Sequence, residues 1–148
     1  MYASRWCVGL VFLAAAIAAG GAGAAELKVL SVDAMKPALQ ELAPAFETAS
    51  KHKLKIDYAT AEAIEKKIDG DEEYDVVIVD HAITSKLIAK AKIAGGLIKG
   101  LAKKGPDLVY DVSTTNFSME PLAAKALVDF LAEPKATEVY KAKGFQPG

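Results

Sequence analysis

The feature that most constrains the fold of this chain is an uninterrupted run of β-branched residues, Val76-Val77-Ile78-Val79. β-Branched side chains favour an extended backbone, so the run predicts a strand. Successive side chains of a strand point to opposite faces, and here both faces are apolar. Such a strand must be covered on both sides, as in a parallel sheet that lies between two layers of helices.

The sequence around this run alternates between strand-like and helix-like patterns. Leu27–Ser31 and Leu54–Tyr58 are short runs typical of strands, and each precedes a stretch with apolar residues at helical spacing. The first stretch contains Met35, Ala38, Leu39, Leu42 and Phe46. The second helix is predicted over Ala61–Ile68 and the third over Ile83–Ala91. This order of elements predicts an α/β fold, a three-layer sandwich with a mostly parallel sheet.

The remainder of the chain has a weaker pattern at first and then becomes helical. Residues 93–106 combine four glycines with three lysines, and Lys92 directly precedes them, which predicts a flexible connection with a solvated basic face. Leu108–Val112 is predicted to be a further strand. Pro121 begins an amphipathic helix, and Pro134 begins a last helix that Gly144 ends. We expect the apolar face of the Pro121 helix to cover one side of the sheet.

The first 25 residues have the pattern of a secretory signal peptide. Arg5 supplies the positive charge, Val8–Ala19 is the apolar segment, and Ala22-Gly23-Ala24-Ala25 offers small residues to the peptidase. An uncleaved membrane anchor is the alternative, because residues 6–25 carry no charge. Gly20, Gly21 and Gly23 weaken a spanning helix, so we predict cleavage after Ala25, export to the periplasm and a single domain over residues 26–148.

Charge and cysteine content exclude several classes of function. The net charge of −1 argues against a nucleic-acid partner, which would need a basic surface. The only cysteine, Cys7, lies in the predicted signal peptide. Residues 26–148 therefore have no thiol for catalysis or for metal binding, and we expect no cofactor.

Two hydroxyl side chains lie where predicted strands give way to predicted helices. Ser31 ends the first strand, and Thr60 follows the second, just before Ala61. In a parallel sheet both positions fall at the carboxyl edge, where open α/β folds bind ligands. Free N–H groups at the helix starts favour an anion there, so Ser31, Thr60, Asp33 and Ala61 are the candidate ligand-binding residues. The alternative is that these side chains only cap helices, as Asp33 is also predicted to do.

A carboxylate and an imidazole, Asp80 and His81, follow the third predicted strand at the same edge. Together with Asp75 they could support metal-assisted hydrolysis, but one such pair lacks the further ligands that a metal site needs. The sequence also contains no G-x-S-x-G, H-E-x-x-H or Walker-type motif. We therefore predict neither a metal site nor an enzyme.

Several blocks of the sequence match one known family in their order. The blocks are Leu27–Leu39, Glu41–Glu47, Ile56–Ile64, Tyr74–Ile78 and, at the end of the chain, Ala123–Leu131, Pro134 and Lys141–Phe145. Together they resemble the molybdate-type periplasmic solute-binding proteins of ABC importers. The resemblance implies a type II periplasmic binding protein, a clamshell of two α/β lobes that closes on a small oxyanion such as molybdate or tungstate. It also implies delivery to an ABC permease in the inner membrane, and contacts from Ser31 and Thr60 to the anion.

The chain departs from that family in two respects. It is much shorter, so we predict one lobe, with the seam for the inserted second lobe near residues 93–107. Asp33 and Glu62 stand where the family usually has small residues. One lobe supplies only half of the cleft, and the two carboxylates lie near the expected anion. Both features predict weakened oxyanion binding. A second interpretation is a small periplasmic protein-interaction module that transports no ligand.

Overall fold

The computed structural model describes residues 23–148, so all but the last three residues of the predicted signal peptide lie outside the described residues. The strands are β1 (Glu26–Val32), β2 (Lys53–Ala59), β3 (Val76–Asp80), β4 (Lys99–Lys104), β5 (Leu108–Thr114) and β6 (Gln146–Pro147). The helices are α1 (Lys36–Ser50), α2 (Ala61–Asp69), α3 (His81–Ala89), α4 (Pro121–Leu131) and α5 (Pro134–Ala142). Two short 3-10 turns cover Asp33–Met35 and Gly95–Leu97.

The six strands form one sheet in the order β2-β1-β3-β5-β4-β6. β1 pairs in parallel with β2 and β3, whereas β5 pairs antiparallel with both β3 and β4, and β6 pairs antiparallel with β4. Strands β1 to β4 therefore run in one direction, and β5 and β6 run in the other. This arrangement confirms the predicted α/β fold.

Helices cover both faces of the sheet. α1, α4 and α5 contact one another on one face, and α2 and α3 contact each other on the opposite face. The Val76–Val79 run lies in β3 near the centre of the sheet, and none of its four side chains is more than 1% exposed. On the α1 and α4 side, Leu127 and Leu131 pack near Val29 and Ile78, as the amphipathic pattern of the Pro121 helix predicts.

Two local predictions are wrong. The stretch predicted as a flexible connection contains the 3-10 turn at Gly95–Leu97 and strand β4, which pairs with β5 along most of its length. Pairing with β5 overrides the weak strand propensity of this lysine- and glycine-rich segment. The third helix begins at His81 instead of Ile83, because Asp80 caps it, and it ends at Ala89. Ala91 has a positive φ of 54°, which an α-helix does not allow.

Candidate functional site

A cleft of about 290 Å³ lies at the carboxyl edge of the three parallel strands. Its lining residues are Val32, Asp33, Ala34, Ala59, Thr60, Ala61, Asp80, Leu108 and Tyr110. β1, β2 and β3 all end at this edge, and the helical segment that follows each of them begins there. Ligands of open α/β folds bind at this edge, so the cleft is the candidate site.

Thr60 lies between β2 and α2 and caps the helix. Its Oγ1 accepts a hydrogen bond of 3.3 Å from the amide of Ala63, and its backbone is extended, as a cap requires. The hydroxyl proton is left free to point into the cleft, since the side chain is exposed. Thr60 therefore caps α2, as one of the two interpretations of the sequence predicts, and it also lines the cleft beside Ala61.

Asp80 performs the same task at the start of α3. Its Oδ1 accepts a hydrogen bond of 3.1 Å from the amide of Ile83, while the residue still lines the cleft. The carboxylate thus occupies the position that an external anion would take at this helix N-terminus. The N-terminal amides of α2 and α3 are in this way partly satisfied by the chain's own side chains.

Asp33 is an exposed lining residue, but it caps no helix. It belongs to the 3-10 turn between β1 and α1, and neither this turn nor α1 has a side-chain cap. The predicted capping role of Asp33 is therefore wrong, because the chain tightens into a 3-10 turn before α1 begins at Lys36. Its carboxylate stays at the cleft surface as an exposed negative charge.

Ser31 and Glu62, which the sequence associates with the anion site, do not line the cleft. Ser31 is fully buried in β1, and its Oγ donates a 3.2 Å hydrogen bond to the carbonyl of Val32. Glu62 is exposed in the first turn of α2. Of the four candidate ligand-binding residues, the structure thus brings Asp33, Thr60 and Ala61 together and places the Ser31 side chain beneath the surface.

Tyr110 is a lining residue that sequence reasoning missed. It lies in β5, opposite Asp80 in the antiparallel pairing of β3 and β5, and only 5% of it is exposed. Its ring packs edge-on against Phe145, with the ring centroids 6.0 Å apart. Burial raises the pKa of the Tyr110 phenol, and the negative charge of Asp80 raises it further. The tyrosine therefore contributes a neutral hydroxyl at neutral pH.

Asp75, Asp80 and His81, which could have supported metal-assisted hydrolysis, do not lie together. Asp75 precedes β3 and Asp80 ends it, so the two carboxylates lie at opposite edges of the sheet, about 17 Å apart along the strand. His81 instead contacts the buried Asp111 in β5, with 2.7 Å between Nδ1 and Oδ2. Within residues 23–148, no group of three or more His, Cys, Asp or Glu side chains is arranged to hold a metal ion.

A second open cleft, of about 310 Å³, lies away from the carboxyl edge, next to the loop that precedes β3. Several of its polar side chains contact one another. The Tyr74 hydroxyl donates a 3.0 Å hydrogen bond to Asp57, and the Lys28 ammonium lies 4.0 Å from Glu73. These pairs account for Asp57, Lys28 and Glu73 without a ligand. No helix in the described part of the chain is long and apolar enough to span a membrane.

Comparisons with known proteins agree with this geometry. The chain has the fold of the substrate-binding domain of a putative molybdenum ABC transporter from Clostridium difficile, with a TM-score of 0.77 and 11% identity over 84% of this chain and 100% of the other. It shares the fold of the Azotobacter vinelandii periplasmic molybdate-binding protein, with a TM-score of 0.75 and 13% identity over 82% of this chain and 99% of the other. Iron-bound HitA from Pseudomonas aeruginosa gives a TM-score of 0.72 and 8% identity over 83% of this chain and 86% of the other.

At these identities the structural likeness shows a shared fold. A search of curated protein sequences gives no significant match. The sequence model for bacterial extracellular solute-binding proteins, however, matches residues 27–106, which is more than half of the chain. The matched region contains β1 apart from Glu26, β2 to β4, and every lining residue of the cleft except Leu108 and Tyr110. The chain belongs to the bacterial extracellular solute-binding protein family.

Proposed function

We propose that this chain is the periplasmic solute-binding component of an ABC importer and that it holds its solute in the carboxyl-edge cleft. The observation that carries the proposal is the position of this cleft at the starts of α2 and α3, within a solute-binding fold. An oxyanion such as molybdate or tungstate is the ligand that the resemblance implies, and two of the neighbouring structures are named for molybdenum or molybdate. The role is binding and delivery to a permease, without catalysis.

The geometry predicts that an oxyanion binds weakly. The cleft is open on one side, so an anion in it stays partly hydrated. Asp33 adds a direct cost, because two like charges about 4 Å apart repel by about 4 kcal/mol at an effective dielectric constant of 20. Salt and exposure reduce this value, since the carboxylate is at the surface. The structure thus supports the predicted weakening at Asp33, whereas Glu62 lies outside the lining.

Calorimetric titration with molybdate, tungstate, sulfate and phosphate at low ionic strength tests the oxyanion ligand. We expect weak binding by the unmodified protein and tighter binding by Asp33→Ser, which removes the exposed charge. Glu26→Gln is a matched control, because it removes one exposed carboxylate at the opposite end of β1. Absence of binding to all four anions, in the protein and in Asp33→Ser, would refute the oxyanion ligand.

Export and processing form a separate part of the proposal. The sequence predicts cleavage after Ala25, but Ala25 is only 8% exposed and takes part in the fold. Its amide donates a 3.0 Å hydrogen bond to Nδ1 of His52, and its carbonyl accepts one of 2.8 Å from the amide of Lys53. Ala22-Gly23-Ala24 is itself an A-x-A site, so we propose processing one residue earlier, between Ala24 and Ala25. Mass spectrometry of the periplasmic protein should show Ala25 as its first residue, and an intact chain in the membrane fraction would contradict export.

The protein-interaction module remains a second candidate, and one surface favours it. Met119 and Leu122 are 79% and 83% exposed, near the start of α4 and away from the carboxyl edge. The two residues lie three positions apart in the sequence, and exposed apolar surface is a feature of protein contact sites. Met119→Ser with Leu122→Ser should leave solute binding unchanged. If this double variant loses association with a purified permease and no solute binds the cleft, the interaction role is the better one.

A further inference from the structure

The charges that line the carboxyl-edge cleft have one sign. Asp33 and Asp80 are its two carboxylates, and no lysine, arginine or histidine is among the nine lining residues. His81, which follows Asp80 in the sequence, has its Nδ1 2.7 Å from Oδ2 of Asp111, and Lys36 has its ammonium 5.5 Å from the centre of the Tyr58 ring. A solute in the cleft therefore meets a net negative surface.

The side chains that form hydrogen bonds in the cleft are also mainly acceptors. Two of the helix-start amides, those of Ala63 and Ile83, already donate to Thr60 and Asp80, so fewer donors are left for an anion. The side-chain groups that remain for a solute are the carboxylate oxygens and the two hydroxyls, of Thr60 and Tyr110. Carboxylates are acceptors only, and a hydroxyl has two acceptor lone pairs for its single donor.

Tyr110 provides an observation independent of the acidic pair. Only 5% of its surface is exposed, yet its hydroxyl has no hydrogen-bond partner among the described residues. Among the described residues, every fully buried side-chain nitrogen or oxygen has a hydrogen-bond partner. The Tyr110 hydroxyl has none, so it is not fully buried, and it reaches the surface at the cleft that Tyr110 lines. A buried tyrosine usually satisfies its hydroxyl, and an unpartnered one that opens into a cleft is a contact available to a ligand.

The apolar lining residues and the small number of possible metal ligands favour an organic cation over a metal ion. The remaining lining residues, apart from Thr60, are alanine, valine and leucine, which suit an alkyl body. A metal ion would need several protein ligands at one point, and the described residues contain no group of three metal-binding side chains. A protonated amine needs only one or two carboxylates and a hydroxyl acceptor.

We infer that the cleft prefers a small organic cation, a protonated amine on an alkyl body, with Asp33 and Asp80 as its counter-charges and the Tyr110 hydroxyl as a further contact. This inference rests on the proposed function, because it uses the same cleft as the solute site. It changes the class of solute from an oxyanion to a cation.

The test is a titration of the purified protein at low ionic strength with three probes, namely butylammonium chloride, n-butanol and sodium molybdate. Butylammonium and n-butanol have the same alkyl body, and only the first carries a charge. We expect butylammonium to bind most tightly, and we expect its affinity to fall as salt is added. Equal affinity for n-butanol would overturn the inference, because the carboxylates would then contribute nothing.

Three variants locate the binding. Asp33→Asn and Asp80→Asn should each weaken butylammonium binding by up to about fivefold, the range expected for partly exposed charge pairs. Asparagine caps a helix about as well as aspartate, so Asp80→Asn should keep α3 intact. Glu26→Gln, at the far end of β1, should leave the affinity unchanged. Thermal unfolding of each variant confirms that it is folded.

The outcomes separate this inference from the proposed function. Tighter binding of molybdate than of butylammonium, lost in Thr60→Ala, would overturn the cationic ligand and keep the solute-binding role. Butylammonium binding that survives both asparagine substitutions would place the cation elsewhere and also overturn the inference. Binding of none of the probes would count against both the cationic ligand and the cleft as the solute site.

Discussion

Replacing Asp75 should destabilise the protein more than replacing any exposed carboxylate. Asp75 is 6% exposed and stands just before β3. Its Oδ2 accepts a 2.9 Å hydrogen bond from the amide of Lys28 in β1, and its Oδ1 accepts hydrogen bonds from Ser118 Oγ (2.7 Å) and the amide of Met119 (3.1 Å). One carboxylate therefore ties the connection between β5 and α4 to the start of the sheet.

The magnitude follows from these three hydrogen bonds. Asp75→Ala removes the acceptor of the Lys28 and Met119 amides, and a hydrogen bond to a charged group contributes about 1.5 to 3 kcal/mol. Ser118 is half-buried, and its hydroxyl can rotate toward water, so it adds less. We expect Asp75→Ala to lower the free energy of unfolding by about 3 kcal/mol. That is a large share of the roughly 5 to 15 kcal/mol that stabilises a domain.

Urea unfolding followed by circular dichroism measures the effect. With a slope of about 1 to 3 kcal/mol per M, a loss of about 3 kcal/mol lowers the midpoint by about 1 M or more. Ser118→Ala should cost about 1 kcal/mol, since the Met119 amide still reaches the carboxylate. Glu72→Ala, which removes an exposed carboxylate nearby, should stay within about 0.5 kcal/mol. An Asp75→Ala variant as stable as Glu72→Ala would refute the structural role of Asp75.

Two further predictions concern other parts of the fold. Truncation before Pro121 removes α4 and α5, which cover one face of the sheet, and should expose the strand at Val76–Val79. The truncated chain should bind a hydrophobic dye and lose cooperative unfolding, and a cooperative transition at the original temperature would contradict this. Hydrogen bonds from Lys86 and Lys90 lower the pKa of Glu65 below its ordinary value of 4.5. A lowered folded-state pKa gives stability that is present above the ordinary pKa and is lost as pH falls below it. Stability should therefore decline in this acid range, and Glu65→Gln should reduce that decline, whereas an unchanged pH profile would show that these ion pairs contribute nothing measurable.

The sequence by itself determined the α/β class and the positions of most of its elements. The Val76–Val79 run requires cover on both faces, and the helix that begins at Pro121 carries the apolar face that supplies part of this cover. These properties are local, because side-chain branching and apolar spacing act within one element. For the same reason the sequence identified Thr60 and Ala61 as cleft residues, since both directly follow a strand of the parallel set.

Only the tertiary structure decided which groups complete the site. Tyr110 and Leu108 reach the cleft because β5 runs antiparallel to β3, which brings the start of β5 to the edge where β3 ends. Ser31 lies at the correct end of β1, but the pleat turns its side chain into the interior. Strand direction and the face that a side chain occupies depend on pairing with residues far away in the chain. Local sequence does not encode these long-range pairings, so it could predict the edge where the candidate cleft lies but not the full set of side chains that line it.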